Sequence, residues 1–582
     1  MSAAQTAISA RKRARFRLVP PLVAVLALGV LLFQPGLRSP LMLDDYIAAA
    51  MVDGTYGPPR GPLDLYDFVG AGEAPRLVER GFLPWWSHPA LKIRFFRPLA
   101  SVLRWNDQRV FGRSPLILHA HSLAWWVLAV LAARALFKRI LAPRPLLLAT
   151  AIFALAPCHV LPLAWIANRE VLLSLTLGTF GLGAYVRWRE ERRSKDAALA
   201  FVLFALAVLA GEYGLGFGGY VLAIELVRRR ESIARRAGGL LPFVVPVGTY
   251  LYVRARLDYG TRGSGFYADP IAEPLEYARL APWRALVLEA QAWLSYAADP
   301  AAAAGEAALV TVLVLVGLAL VFVVWRRVRA DLDAQTREAT SWLLLGSVLA
   351  LAPFLAVLPS PRVLGVSMLG VAAVAALLIE HAWWPRRTEA RRGMAELVSL
   401  VGTGVAFAQL VHGPGTSYLL ARRHHGEAVA FTRQTTELAE RLGDVPNTDV
   451  VVVRGFSRMF FAPFALTPHG EGPKRWCILS QTGHVLLLRQ SPRTFDIVVK
   501  PDSSVFPIGD GNLFRNKSLL VRTGDVFQIP GATATVLDVG PAGPRRVRFA
   551  FEDELGPWIN EKTDSFDDAE LPLVGFGAPF DP

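Results

Sequence analysis

Apolar runs long enough to cross a lipid bilayer recur along the chain and constrain its fold more than any other feature. A bilayer core about 30 Å thick is crossed by about 20 helical residues, because each residue adds about 1.5 Å. The sequence therefore predicts an all-α polytopic membrane domain of about eleven transmembrane helices. The predicted spans are 18–36, 115–137, 144–162, 169–187, 196–212, 214–228, 238–256, 306–326, 340–358, 363–382 and 394–412.

The composition excludes most other classes of protein. Hydrophobic residues make up 53% of the chain and charged residues only 19%, and the mean hydropathy is +0.36. Such a chain is too apolar to face water along its whole length. Two cysteines are too few for a disulfide scaffold. The net charge of +14 would suit nucleic acid binding, so the position of that charge decides its meaning.

Six clusters of basic residues flank the predicted spans. With eleven spans all six clusters fall on one side of the membrane, which the positive-inside rule makes cytoplasmic. The basic excess is thus a topology signal, and its partner is the lipid bilayer rather than nucleic acid. The clusters are Arg11–Arg17, Lys138–Arg144, Arg187–Lys195, Arg228–Arg236, Arg326–Arg337 and Arg386–Arg392.

This topology predicts a domain order. A cytoplasmic basic tail (1–17) precedes the transmembrane domain (18–413), whose large outer loops are 37–114 and 257–305. We interpret the first span as a retained anchor and 283–297 as an interfacial amphipathic helix. The excess of arginine over lysine is typical of GC-rich bacterial genomes, so the predicted location is a bacterial inner (plasma) membrane with a cytoplasmic N-terminus.

The last part of the chain has a different pattern. A helical connector (414–444) is followed by a periplasmic β-rich domain (445–582), where short β-prone runs alternate with Gly and Pro. The sequence thus predicts a C-terminal extracytoplasmic β-rich domain. The runs are Val450–Arg454, His484–Arg489, Phe495–Lys500, Ser518–Arg522, Ala532–Val539 and Arg546–Phe551.

Two adjacent carboxylates, Asp44 and Asp45, follow the first span on its outer side. They fit a solvated helix cap, since Asp is favoured at N-caps. They also fit a catalytic base beside a ligand for substrate or for a divalent metal ion. Other polar residues at outer ends of spans favour the second interpretation. These are Arg97 in Phe-Phe-Arg-Pro-Leu, His119 in span two, Arg169 in Trp-Ile-Ala-Asn-Arg-Glu, Glu212, and Arg362 in Ser-Pro-Arg; Ser101, Arg104 and Gln108 form a polar stripe on the helix that follows Arg97.

In this order and on this side, the motifs resemble the GT-C superfamily of integral-membrane glycosyltransferases. The resemblance covers roughly 18–385 and is closest to the O-mannosyltransferase branch whose membrane module is fused to tetratricopeptide repeats. The branch's second histidine in span two is replaced near Trp126, and its Lys-Glu pair reads Gly211-Glu212. A β-rich domain stands in place of the repeats. These departures leave the sugar and the acceptor open.

The resemblance implies hexosyl or mannosyl transfer, with inversion, from a polyprenyl-phosphate donor to a protein, lipid or glycan hydroxyl at the outer membrane face. Asp44 would be the base, and Asp45 would orient the acceptor or bind a divalent metal ion, the one cofactor left open. Arginine suits the phosphate leaving group, so Arg97, Arg169 and Arg362 are the candidate donor ligands. Glu212 would hold one of these arginines as an ion pair, and His119 would support the site.

Two other classes of function stay open. A non-catalytic scaffold or pseudoenzyme would present the C-terminal domain and would not need Asp44. A transporter would need charged groups near mid-membrane, often with inverted repeats. The best intramembrane candidate is Glu225, which lies one turn from the cluster at Arg228 and can reach the membrane surface.

Overall fold

The computed structural model describes residues 21–581, except 230, 272, 296–303, 386–391, 456, 467–471, 510, 530 and 563–564. The predicted tail 1–17, the start of the first span and most of the cluster Arg386–Arg392 lie outside the described residues. The described chain divides into two compact units. We name the two units after the predicted topology: the membrane unit comprises the described parts of 1–39, 114–253 and 278–425, and the outer unit those of 40–113, 254–277 and 426–582.

Eighteen α-helices occur in the described residues. They are α1 (Pro21–Leu37), α2 (Asp44–Asp53), α3 (Ala74–Glu79), α4 (Pro98–Phe111), α5 (Pro115–Phe137), α6 (Pro143–Leu155), α7 (Val160–Ala164), α8 (Glu170–Glu191), α9 (Ser194–Ala210), α10 (Phe217–Val227), α11 (Ile233–Arg256), α12 (Pro274–Leu294), α13 (Ala304–Ala330), α14 (Ala334–Leu349), α15 (Met368–Trp383), α16 (Arg392–Phe407), α17 (Gly413–Leu442) and α18 (Ala462–Leu466).

The described residues also form thirteen strands, all in the outer unit. They are β1 (Asp67–Val69), β2 (Lys92–Arg94), β3 (Gly260–Arg262), β4 (Asp449–Val452), β5 (Arg475–Ile478), β6 (Val485–Ser491), β7 (Thr494–Val498), β8 (Val526–Ile529), β9 (Ala532–Gly540), β10 (Gly543–Phe551), β11 (Trp558–Glu561), β12 (Phe566–Asp568) and β13 (Gly577–Phe580). The prediction of a β-rich C-terminal region is confirmed.

Five helical segments of the described chain are long and apolar enough to cross a membrane, or six if one bent pair counts as a single span. The predicted number of about eleven is therefore not confirmed. Two further apolar helices, α1 and α15, are shorter. The bent pair consists of α6 and the segment Pro157–Ala164, which contains α7; it overlaps the single predicted span 144–162, and the bend is 41°. Its cause is local, because Ala156 precedes Pro157 and is held in the extended region (φ −64°, ψ 143°).

Small residues set the packing of the membrane unit. The predicted spans 196–212 and 214–228 correspond to α9 and α10, which a short turn joins, with α9 ending at Ala210 and α10 beginning at Phe217. A Cβ on Gly214 would lie 2.7 Å from the backbone of Ala207, so this turn requires glycine. Likewise a Cβ on Gly219 would lie 2.4 Å from the backbone nitrogen of Ala350, so α10 and α14 approach closely through glycine.

The interpretation that Glu225 reaches the membrane surface is wrong. Glu225 is 2% exposed. Its carboxylate accepts hydrogen bonds from Arg189 Nη2 at 2.8 Å and from the Tyr185 hydroxyl at 2.5 Å. A buried carboxylate is stable when it is paired in this way, so Glu225 joins α10 to α8 and is not an isolated transport site.

The outer unit contains three sheets. Strands β1, β2 and β3 form an antiparallel sheet that links the two predicted outer loops. The six-stranded sheet has the order β13-β6-β7-β10-β9-β8 and is antiparallel. In the four-stranded sheet β12-β11-β4-β5, strand β4 is parallel to both β11 and β5, and β12 is antiparallel.

One predicted strand, Ser518–Arg522, is absent from these sheets. The buried Arg515 side chain donates to the Leu519 backbone oxygen at 3.1 Å and to the Trp86 backbone oxygen at 3.0 Å. The Arg515 guanidinium thus occupies the Leu519 carbonyl, which in a strand would accept a hydrogen bond from a neighbouring strand. This segment is therefore a loop held by the Arg515 side chain.

Candidate functional site

The aspartate pair opens α2 from an unusual backbone position. Leu43 has φ 41° and ψ −110°, in the left-handed half of conformational space that non-glycine residues rarely adopt. The Asp45 carboxylate accepts a hydrogen bond from the Met42 backbone N–H at 3.0 Å. Met42 lies outside α2, whose N-cap Leu43 makes no side-chain capping bond. The interpretation of a solvated helix cap is therefore wrong for Asp45, whose carboxylate is buried. Asp44 is more exposed than Asp45, which is 1% exposed.

Arg104 of α4 holds both aspartates. Its Nη2 donates to Asp45 Oδ1 at 2.9 Å and to the Asp44 backbone oxygen at 3.1 Å. The Arg104 and Asp45 side chains are 3% and 2% exposed. Ser101, one turn earlier, is also buried on this face. The predicted polar stripe of α4 is therefore the face that fixes the aspartate pair.

Tyr66 joins a second arginine to this group. The Arg104 guanidinium lies 6.0 Å from the centre of the Tyr66 ring, and the Arg97 guanidinium lies 5.1 Å from it. Arg97 is also 4.5 Å from the Phe95 ring. We call Asp44, Asp45, Tyr66, Arg97 and Arg104 the aspartate–arginine cluster. It places two cations beside one aromatic ring within the outer unit, and one of these cations pairs with the Asp45 carboxylate.

Tyr46 anchors α2 within the same unit. Its hydroxyl lies 3.2 Å from Thr432 Oγ1, and its ring packs edge-on against Phe431 at 5.9 Å. Burial raises the pKa of Tyr46, so the phenol stays protonated at neutral pH. The orientation of α2 thus depends on a packed tyrosine one residue after the aspartate pair.

Arg169 lies in the membrane unit, immediately before α8. The side chain is buried, and its guanidinium contacts α5 at three points. Nε donates to Ser122 Oγ at 2.9 Å, Nη2 donates to the Leu118 backbone oxygen at 2.6 Å, and Nη1 lies 3.1 Å from His121 Nδ1. Arg169 thus does not extend to the lipid interface, and it ties the start of α8 to α5.

Arg362 is the second predicted donor ligand in the membrane unit. It is half-buried, and its guanidinium lies 5.9 Å from the centre of the Trp165 ring. Trp165 begins the short 3-10 turn (Ile166–Asn168) that leads to Arg169. Both arginines therefore lie next to the same 3-10 turn.

The two predicted supporting residues lie in this unit as well. Both ring nitrogens of the buried His119 lie near backbone oxygens, Nδ1 2.8 Å from Leu163 and Nε2 3.0 Å from Ser39. His119 thus connects three segments of the chain. Glu212 is half-buried and opens the 3-10 turn Glu212–Gly216 between α9 and α10. Its predicted ion pair with an arginine stays a prediction.

The structure therefore assembles the predicted residues in two groups. Asp44, Asp45 and Arg97 belong to the outer unit, whereas the other four belong to the membrane unit (His119, Arg169, Glu212 and Arg362). Sequence reasoning missed the roles of Arg104 and of His121. The available signal for Arg104 was its place in the polar stripe of α4, and His121 stands two residues after His119.

A metal ion is not indicated by the described side chains. No group of three or more His, Cys, Asp or Glu residues in the described part of the chain could hold one. The Asp45 carboxylate already faces a guanidinium, which supplies the positive charge that a metal ion would bring.

No protein-family model matches the chain, and no curated protein matches it. Several solved structures are similar to it in fold. One is the oligosaccharyltransferase AglB from Archaeoglobus fulgidus in complex with an inhibitory peptide and a dolichol-phosphate, at 14% identity and TM-score 0.44, covering 80% of this chain and 65% of that one. Another is ArnT from Cupriavidus metallidurans bound to undecaprenyl phosphate, at 14% identity and TM-score 0.39, covering 78% of this chain and 85% of that one. The chain spans about 65% of the oligosaccharyltransferase's length.

Proposed function

We propose that this protein is a GT-C-like membrane glycosyltransferase that moves a sugar from a polyprenyl-phosphate donor to a hydroxyl acceptor at the outer membrane face. The observation that carries the proposal is the aspartate–arginine cluster. It fixes one carboxylate, Asp45, between a backbone N–H and a buried arginine, and it places the more exposed Asp44 beside it. An organised carboxylate pair of this kind suits base catalysis.

The difference in exposure supports separate roles for the two aspartates, because Asp44 is more exposed than the buried Asp45. Asp45 is engaged by Met42 and Arg104, so we assign it to positioning. We assign Asp44 to the chemistry as the general base. Strain at Leu43 supports this assignment, because unfavourable backbone geometry persists where the surrounding structure enforces it, often at active sites.

In the proposed step, Asp44 accepts the proton of the acceptor hydroxyl. The hydroxyl oxygen then attacks the anomeric carbon and forms the new glycosidic bond. The bond between that carbon and the phosphate oxygen breaks, and its electron pair leaves with the polyprenyl phosphate. One displacement inverts the anomeric configuration. Base catalysis of this type contributes about 10² to 10⁴-fold.

Arg97 and Arg362 are the proposed ligands of the departing phosphate. Each guanidinium lies against an aromatic ring, and a stacked guanidinium keeps its N–H groups at its edge, where they suit a phosphate. The contacts of Arg169 with α5 favour a supporting role for it, holding the turn next to Arg362. Dolichol-phosphate and undecaprenyl phosphate are present in two of the similar structures, and for this chain that ligand class is a proposal.

Sugar transfer in isolated membranes tests this function. Membranes containing wild type, Asp44→Asn or Asp53→Asn would be supplied with radiolabelled polyprenyl-phosphate sugars. Asp53 is the matched control, since it ends α2 and pairs with Arg113 at 2.6 Å. We expect transfer by wild type and Asp53→Asn, and its loss in Asp44→Asn at equal protein level. Equal transfer by all three would refute Asp44 as the base, and no transfer with any donor would favour the scaffold.

A further inference from the structure

A large cavity lies at the arginine-bearing end of the membrane unit, and none of its lining residues is assigned to catalysis. Its volume is about 950 Å³. It lies between the ends of α10, α11, α13 and α14 on the side that the positive-inside rule makes cytoplasmic. We call it the arginine cavity. Its lining residues are Leu226, Val227, Arg229, Arg236, Arg329, Ala334, Arg337, Glu338, Ser341 and Leu345.

The cavity carries a concentrated positive charge. Four arginines line it against one acidic residue, Glu338. Among the described residues, no carboxylate forms an ion pair with any of these four arginines. The cavity thus unites two of the six basic clusters of the sequence, Arg228–Arg236 and Arg326–Arg337, which are far apart along the chain. Clustered cations without carboxylate partners favour an anionic ligand.

Neutral groups hold these arginines in place. Arg329 donates through Nε and Nη2 to Ser341 Oγ at 3.2 and 3.0 Å. Arg337 Nη2 donates to the backbone oxygens of Ala330 and Leu332 at 3.1 and 2.7 Å. Hydroxyl and carbonyl oxygens orient a guanidinium without cancelling its charge, so the cavity is organised before a ligand enters.

Apolar side chains continue from the cavity along two helices. Leu226 of α10 and Leu345 of α14 line it and are 42% and 36% exposed. About one turn further along the same helices, away from the arginines, Leu222 and Val348 are 42% and 48% exposed. A ligand with an anionic head and hydrocarbon chains matches this arrangement, because free phosphate would leave the apolar surface uncovered.

We propose that the arginine cavity binds the phosphate headgroup of an anionic phospholipid from the cytoplasmic leaflet, with its acyl chains along α10 and α14. This site is separate from the proposed glycosyl transfer and does not depend on it. Such a lipid would bridge four helices at their arginine-bearing ends and stabilise the membrane unit.

Thermal unfolding of the purified full chain in neutral detergent tests the site, using the fluorescence of its 15 tryptophans. The added ligands are dioctanoyl phosphatidylglycerol, dioctanoyl phosphatidylcholine and inorganic phosphate. The cavity variant is Arg229→Gln/Arg329→Gln. The control variant is Arg193→Gln/Arg392→Gln, which removes two exposed arginines of the same predicted side, one just before α9 and one at the start of α16 (58% and 95% exposed).

We expect phosphatidylglycerol to raise the unfolding temperature of wild type and control saturably, and phosphatidylcholine to raise it less. Half-saturation in the cavity variant should need about tenfold more phosphatidylglycerol, or higher. Equal half-saturation in the cavity and control variants would overturn the site. Equal shifts from the two lipids would overturn the anionic specificity, and an equal shift from inorganic phosphate would overturn a lipid as its source. The comparison of the two lipids and inorganic phosphate uses wild type alone, so it tests the proposed anionic lipid even if the cavity variant does not fold.

Discussion

Arg104 Nη2 lies 2.9 Å from Asp45 Oδ1, and both side chains are almost completely buried. The two residues belong to different helices, α4 and α2, and the same guanidinium nitrogen also reaches the Asp44 backbone. A single buried ion pair therefore sets the position of both aspartates. This relationship determines what substitution of each partner should do.

Asp44→Asn should lower sugar transfer by about 10² to 10⁴-fold, because the amide cannot accept the acceptor's proton. The thermal stability should change little, since Asp44 is partly exposed and Arg104 contacts its backbone oxygen rather than its side chain. Initial rates and unfolding temperatures of the same preparation measure both effects. A loss of transfer that parallels a loss of folded protein would contradict a catalytic role.

Arg104→Gln should destabilise the protein by about 3 to 5 kcal/mol, because it leaves the Asp45 carboxylate buried without its cation. Asp45→Asn together with Arg104→Gln should cost less than the sum of the two single changes, since no charge is then left unpaired. Thermal unfolding of the single and double variants measures this coupling. Strictly additive losses would show that the pair does not determine stability.

Arg362→Gln should raise KM for the lipid donor with little loss of stability, because the side chain is half-buried and stacks on Trp165. Arg169→Gln should instead lower the unfolding temperature, since three nitrogens of this buried side chain contact α5. Donor titrations and unfolding curves separate the two effects. Arg256→Gln, at an exposed arginine that ends α11, is the control for loss of charge. A higher KM in Arg169→Gln together with a lower unfolding temperature in Arg362→Gln would show that Arg169 is the donor ligand and Arg362 the supporting residue.

Cysteine labelling in intact cells should show that the two ends of the predicted topology face opposite sides. The native Cys158 and Cys477 are both buried, so their background should be low. A membrane-impermeant maleimide should label Asp53→Cys, in the first outer loop, and should not label Arg193→Cys until the cells are opened. Labelling of Arg193→Cys in intact cells would invert the topology and place Asp44 on the cytoplasmic face.

Acid should weaken the outer unit through Asp496. Burial acts to raise the pKa of Asp496, but hydrogen bonds from Arg548 and Arg546 outweigh it and hold this pKa below its ordinary value. A carboxylate with a depressed folded-state pKa contributes stability that is present above its unfolded pKa and lost as the pH falls through the folded value. Unfolding temperatures should therefore fall below about pH 4 in wild type, and less steeply in Asp496→Asn. The same slope in both proteins would exclude Asp496 as the cause.

The positions of several elements follow from local sequence. The run 115–137 is α5 to the residue, and the β-prone runs near 450, 485, 495, 532 and 546 are strands. The hydropathy periods that distinguish a helix from a strand extend over short segments of sequence, so the hydropathy pattern alone predicts where these elements lie. The break at Ala156-Pro157 was also readable, because proline restricts the residue before it, yet the apolar run continues across it and conceals the bend.

The apolar runs and the basic clusters were determined by sequence, because hydropathy and charge are properties of short segments. Which polar groups meet was decided only by tertiary structure. Asp45 and Arg104 are 59 residues apart along the chain, Ser122 and Arg169 are 47 apart, and Arg189 and Glu225 are 36 apart. Each buried charge takes its partner from another segment, and the packing of whole helices, which no local pattern encodes, brings the two together.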